Sequence, residues 1–221
     1  MNRLLGILAV AGMVSGQEVN PDKRLEHATV AVRAFFSTES NIPKDLAGKA
    51  QCVVVVPHLV KGAFLFGGKY GRGFAACRRA TGGWSSPASV AIEGGSFGPQ
   101  LGASSTDLIM LVMNQSGMKR LLGDKFTLGG EVAIVAGPTG ATASANTDVL
   151  MTAEMISYSR AKGLFMGLSL EGATLRPDGG ENKKIYGHEI GNSEILMGKV
   201  QPPRGARTFV GVLNKHARKG K

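Results

Sequence analysis

The sequence of 221 residues holds only two cysteines and one tryptophan, and its longest uncharged apolar run, Leu4 to Val14, is about half the ~20 residues a membrane-spanning helix needs. Two cysteines without histidine nearby make no zinc site. Cys52 and Cys77 each lie in an apolar, strand-like stretch ("QCVVVVP" and "GFAACRR"), and we expect a disulfide between them rather than two buried thiols. His27, His58, His188 and His216 are scattered without metal-ligand spacing, and the acidic residues form no inviting pair. No metal, cofactor or catalytic constellation is therefore expected, and the protein reads as a non-enzyme. Acidic residues are missing from Leu46 to Ile92, where Lys49, Lys61, Lys69, Arg72, Arg78 and Arg79 fall. They are missing again from Lys199 to the end, where Lys199, Arg204, Arg207, Lys215, Arg218, Lys219 and Lys221 fall. With 26 Lys+Arg against 16 Asp+Glu the net charge is +10, which favours anionic partners such as lipid headgroups, nucleic acid or acidic polymers.

The first residues, MNRLLGILAVAGMVSGQEVN, place Arg3 before the apolar run, with Val14 and Gly16 at cleavage positions. This is the pattern of a signal peptide over residues 1–16, and no cysteine follows for lipidation. Export, periplasmic or secreted, follows as the expected localisation; it fits a disulfide and removes nucleic acid as an expected partner. Pro21 and Asp22 then open a helix in which Leu25, Ala28, Val32, Phe35 and Phe36 recur at helical spacing, with Lys23, Arg24, Glu26 and Arg33 off that stripe. Such a helix packs on a core or lies on a membrane surface.

"IPKDLAGKA" reads as a second short helix ending near Gly48, and "QCVVVV" as a buried strand stopped by Pro57. Short apolar runs punctuated by glycine follow, the pattern of antiparallel strands and turns, with Gly82 and Gly83 of "ATGGW" free to take positive φ in a hairpin. "QSGMKRLLG" reads as a brief helix, "AEMISYSRAKGLFMGLSLEGATL" as two strands joined at Arg160 to Gly163, and "DGGENKK" as a polar loop or short helix. The fold class expected is α+β: a curved antiparallel glycine-rich β-sheet or partial barrel with an N-terminal helix and short peripheral helices.

Two motifs invite enzymatic readings and fail. "GGKYGRG", Gly67 to Gly73, mixes glycine with cations, but a P-loop needs Ser or Thr after its lysine and then a helix; here Tyr70 follows and the text stays strand-like. It reads as a bent strand and tight turn that keeps Lys69 and Arg72 exposed. "GGSFG", Gly94 to Gly98, matches the nucleophile elbow of a serine hydrolase, with Ser96 as nucleophile. That elbow turns a strand into a helix, whereas Pro99 and Gly102 favour a glycine-rich hairpin.

Taken together, "CVVVVPHLVKGAFLFGGKYGRGF", "GGWSSPASVAIEGGSFGPQLGASSTDLIMLVMN", "KFTLGGEVAIVAGPTG" and "SYSRAKGLFMGLSLEGATL" resemble, in order and spacing, the blocks of the SYLF domain family, from about Arg24 to Gly187. The resemblance implies a lipid-binding domain at 22–190, preceded by the signal peptide and followed by a basic C-terminal tail at 199–221, in an exported bacterial-type member. Eukaryotic relatives bind phosphoinositides and a fungal branch linked to SH3 domains binds actin; an exported chain without an SH3 domain makes actin an unexpected partner. The block Lys61 to Gly73 and the "SRAKGLF" block, Ser159 to Phe165, carry the implied headgroup contacts Lys61, Lys69, Arg72, Arg160 and Lys162. The helix from Lys23 to Phe36, with Lys23, Arg24 and Arg33, is the implied docking element. Acidic phospholipid is the expected partner, with envelope proteins as the alternative.

Overall fold

The structure is a computed structural model and describes residues 20–37, 42–63, 66–97, 102–137, 152–162, 164–166, 168 and 170–217. The signal peptide expected at 1–16 lies outside these residues. Helix α1 spans Pro21–Phe35, with the Asn20 side chain accepting from the Asp22 N–H at 2.9 Å and Pro21 at a first-turn position that needs no N–H donor. Helix α2 (Lys44–Lys49) leads into the two longest strands, β1 (Cys52–Ala63) and β2 (Phe66–Cys77), followed by β3 (Ala88–Phe97) and β4 (Gly102–Val112). After α3 (Gln115–Leu122) come β5 (Phe126–Thr127), β6 (Ile134–Ala136), β7 (Met155–Ala161), β8 (Leu164–Met166) and β9 (Thr174–Pro177). The chain closes with α4 (Gly179–Tyr186), α5 (Asn192–Leu196), a 3-10 turn (Arg204–Ala206) and α6 (Arg207–His216).

The strands form one sheet in the order β5-β9-β3-β2-β1-β4-β7-β6, with β8 paired to β7. Pairing is antiparallel except between β6 and β7. The two edge strands β5 and β6 sit close together in sequence, so the edges must approach one another and the sheet curls into a half-barrel. Its inner face packs Val54, Val56, Leu59, Ile92, Leu108 and Met110 against Leu128, Val132, Leu170 and Leu175. Its outer face packs Val53, Val55, Phe74, Ile109 and Leu111 under α1 and α6. Both clusters alternate along the same strands, which is why "CVVVV" is apolar at every position.

Two sequence expectations change here. Pro57 does not stop β1: the strand runs on to Ala63 through a bulge, because the missing Pro57 N–H only interrupts the ladder locally. In the bulge His58 takes φ 52° and its N–H donates to Asp107 Oδ1 at 3.0 Å. Gly67 to Gly73 contains no turn and lies wholly within β2. Within the basic C-terminal stretch, Phe209, Val210, Val212 and Leu213 form one apolar face of α6, buried on the outer cluster. The hairpin glycines Gly82 and Gly83 do take positive φ, 90° and 72°. The expected disulfide is present, joining Cys52 and Cys77 where they face each other across β1 and β2.

A candidate anion-binding rim

Beyond the bulge, β1 and β2 extend past the helices, and their register sets Lys61 opposite Lys69. Ser104 of β4 stands beside Lys61 and Gly94 of β3 beside Lys69. Alternation from Leu59 places both lysines on the inner face, one row outward from Leu59 and Ile92, which are fully buried. Facing residues on neighbouring strands have Cβ atoms about 5 Å apart, so the two lysine side chains leave the sheet side by side at the rim of the half-barrel. Partial burial pushes both amines below their ordinary pKa, and the charge of Lys69 adds to the depression at Lys61. The Glu171 carboxylate, on the loop covering β3, works the other way on Lys69.

On the outer face of the same rim the row runs Ser105, Val60, Tyr70 and Glu93 across four strands, and Glu93 pairs with Arg176. Val60 and Tyr70 face each other across β1 and β2 and are 48% and 49% exposed. One row further out, Gly62, Gly68 and Gly95 stand in register on three adjacent strands. Among the described residues, a Cβ added at Gly62 or Gly95 would meet nothing within 4 Å, and at Gly68 only the Gly94 carbonyl oxygen at 4.0 Å. Glycine at these three sites is not demanded by packing against the described residues.

The structure divides the expected contact residues. Arg72 does not project freely: its Nε donates to Asp178 Oδ2 at 2.6 Å, and its Nη1 lies 3.7 Å from Glu181 Oε2. Arg24 donates to the other oxygen of Glu181 from the buried side of α1. The two arginines and two carboxylates thus tie α1, β2 and the start of α4 together, Asp178 also capping α4 through the Glu181 N–H. Lys23 and Arg33 are exposed on the solvent side of α1, whose apolar stripe is buried on the sheet. Arg160 faces Asp107 across β4 and β7, half-buried, and Lys162 is exposed with φ 48° at the rim end of β7. Lys61, Lys69 and Lys162 therefore belong to the rim, Arg24 and Arg72 to an internal brace. Ser96 lies in β3, a strand that pairs on as far as Phe97 and does not turn into a helix there.

Two features went unread in the sequence. Arg78, seen there only as charge, donates to the carbonyls of Ala47, Gly48 and Ala50 at the end of α2 and of Ala217 after α6, and lies 4.5 Å over the Trp84 ring. Burial depresses its pKa, but guanidinium stays charged, so it terminates two helices at once. His27 and His58, unrelated by spacing, meet edge to face with ring centroids 4.8 Å apart. Only the bulge, which turns His58 outward beneath α1, brings them together.

Comparison with known proteins follows the same architecture. A family described as "Ysc84: Las17-binding protein actin regulator" matches residues 93–216. LAS seventeen-binding protein 3 of Saccharomyces cerevisiae is 32% identical over 185 residues, covering 82% of this chain and 40% of that protein. SH3 domain-containing YSC84-like protein 1 of Mus musculus is 30% identical over 179 residues, covering 80% of this chain and 52% of that protein. The chain thus spans about half or less of the length of these relatives. The family match covers more than half of the sequence, and the half-barrel carries the blocks it was read from: the chain belongs to the Ysc84 family, the family of SYLF domains.

Proposed function

We propose that this protein is an exported, non-enzymatic domain that binds acidic phospholipid at a membrane surface through the rim of its half-barrel. The observation that carries the reading is the placing of Lys61 directly opposite Lys69, with the exposed Val60–Tyr70 pair on the reverse side of the same two strands. Cationic and amphipathic side chains at one projecting end suit the boundary between headgroups and acyl chains. Lys162 adds charge at the same end. Export rests on the N-terminal pattern, and the Cys52–Cys77 disulfide is consistent with an oxidising compartment.

Flotation of the chain with vesicles of neutral lipid, and of neutral lipid with an anionic component, tests this. Binding is expected only to the anionic vesicles and should weaken as salt rises. Failure to float with anionic vesicles at low salt overturns the reading.

A second reading, a protein-interaction module, is favoured by the names of the relatives, which describe binding to Las17 and regulation of actin. It predicts capture of envelope protein partners with no flotation on any vesicle.

A further inference from the structure

We infer that His27 of α1 and His58 of the β1 bulge form a two-imidazole site for a late first-row divalent metal ion, with Cu2+ preferred. Neither residue belongs to the lysine rim or to the arginine brace. Their ring centroids stand 4.8 Å apart, brought together from distant parts of the chain. An ion held about 2.0–2.1 Å from one nitrogen of each ring puts the two centroids about 4.5 to 5 Å apart, for bond angles between a right angle and the tetrahedral one. The observed spacing falls in that range. The rings meet edge to face, at 88°. Both side chains are exposed and the terminal torsion of histidine is broad, so turning one ring aims a nitrogen of each at a common point.

The backbone presents His58 for this role. Its φ of 52° is uncommon for a residue with a Cβ, and it falls at a bulge, a device that re-aims a side chain. Asp107 Oδ1 accepts the His58 backbone N–H at 3.0 Å and lies 3.9 Å from its Nδ1. A carboxylate beside one ring nitrogen is the usual outer partner of a ligating histidine, because it keeps the proton on Nδ1 and leaves the Nε2 lone pair for the metal. At 3.9 Å the contact is looser than a hydrogen bond; a metal at Nε2 draws charge from the ring and strengthens it.

The class of ion follows from the donors. Among the described residues no group of three or more His, Cys, Asp or Glu is placed to hold a metal together, so the two imidazoles supply two ligands and water the rest. Both cysteines of the chain are joined in the disulfide, so no thiolate draws the ion away. Imidazole and water suit Cu2+, then Ni2+ and Zn2+, whereas Mg2+ and Ca2+ take oxygen ligands. The ion ties α1 to β1, and only the folded chain offers the pair, so binding stabilises the fold.

The test adds Cu2+, Zn2+ or Mg2+ to the whole chain and follows the histidine rings by NMR, the copper by EPR, and the melting temperature. Substoichiometric Cu2+ should broaden the His27 and His58 ring signals together, before those of His188 and His216, and its EPR spectrum should show coupling to two imidazole nitrogens. Zn2+ should shift the same two signals at higher concentration, and Mg2+ should shift neither. Cu2+ should also raise the melting temperature. His27→Gln, on the exposed side of a helix, and His58→Asn, where asparagine tolerates positive φ, should each remove that rise and weaken copper binding by more than about tenfold. Asp107→Asn keeps an oxygen for the His58 N–H and should weaken copper binding about tenfold.

Broadening of one of the two rings without the other, or of all four histidines alike, overturns the site. A rise in melting temperature that survives both single histidine variants overturns it as well. Neither result touches the membrane reading, which rests on the lysines.

Discussion

The two ends of the β1–β2 pair are built from the same strands and obey different rules. At one end Cys52 and Cys77 face each other in a disulfide, flanked by Val53, Val54, Ala75 and Ala76, all fully buried between the helices and the inner cluster. At the other, beyond the bulge, Lys61 faces Lys69 and Val60 faces Tyr70, with glycines outside them. Between the ends lies the internal brace of Arg24, Glu181, Arg72 and Asp178. Two-sided coverage lets the first end store stability; among the described residues the second end is more exposed. The glycines repeat the contrast. At Gly73 an added Cβ would stand 2.0 Å from the Val55 carbonyl oxygen, because the kinked β1 presses on β2, whereas at Gly62 no described atom lies within 4 Å of it.

The sharpest way to break this contrast is at the brace. Glu181→Ala removes a carboxylate that both arginines share and that pairs with the buried Arg24, and should cost about 4 kcal/mol in urea unfolding. Next, replacing both cysteines by alanine frees a cross-link between residues 25 apart and should cost roughly 3 kcal/mol, with the rim's vesicle binding retained by the folded fraction.

The paired glycine substitutions come third. Gly73→Ala must displace backbone and should cost about 2 kcal/mol, while Gly62→Ala should fall within about 0.5 kcal/mol of the parent in the same assay. Equal effects at the two sites would erase the distinction between packed and displayed glycine.

The smallest effect concerns the lysines. Their folded pKa values lie below the ordinary value of 10.5, so the unfolded chain binds more protons between the folded value and 10.5. The destabilisation is fully present below the folded value and is relieved as pH rises toward 10.5. Lys61→Gln should therefore stabilise by a few tenths of a kcal/mol at neutral pH and flatten the alkaline rise in a melting profile.

Much of this was legible from the sequence. The α1 stripe Leu25–Ala28–Val32–Phe35, the glycine-punctuated strands and the positive-φ pair Gly82–Gly83 all state local rules, and local structure obeyed them. The candidate site was legible only as composition. Lys61, Lys69 and Arg72 read alike as cations in a glycine-rich stretch, yet Arg72 projects toward α1 and α4, while the two lysines, on the opposite parity of the strands, reach the rim. Arg78 and the His27–His58 contact left no signal, because their partners are distant in sequence and are brought in by helix ends and a bulge.

By itself, then, the sequence determined that the chain forms curled antiparallel strands with an amphipathic helix, because side-chain period and glycine's freedom act on the few residues around them. Which cations are spent on holding the fold and which face outward was decided by the tertiary structure alone. Arg72 is committed because Asp178 and Glu181 lie within reach of it, and that proximity exists only once α4 has docked beside β2 and α1.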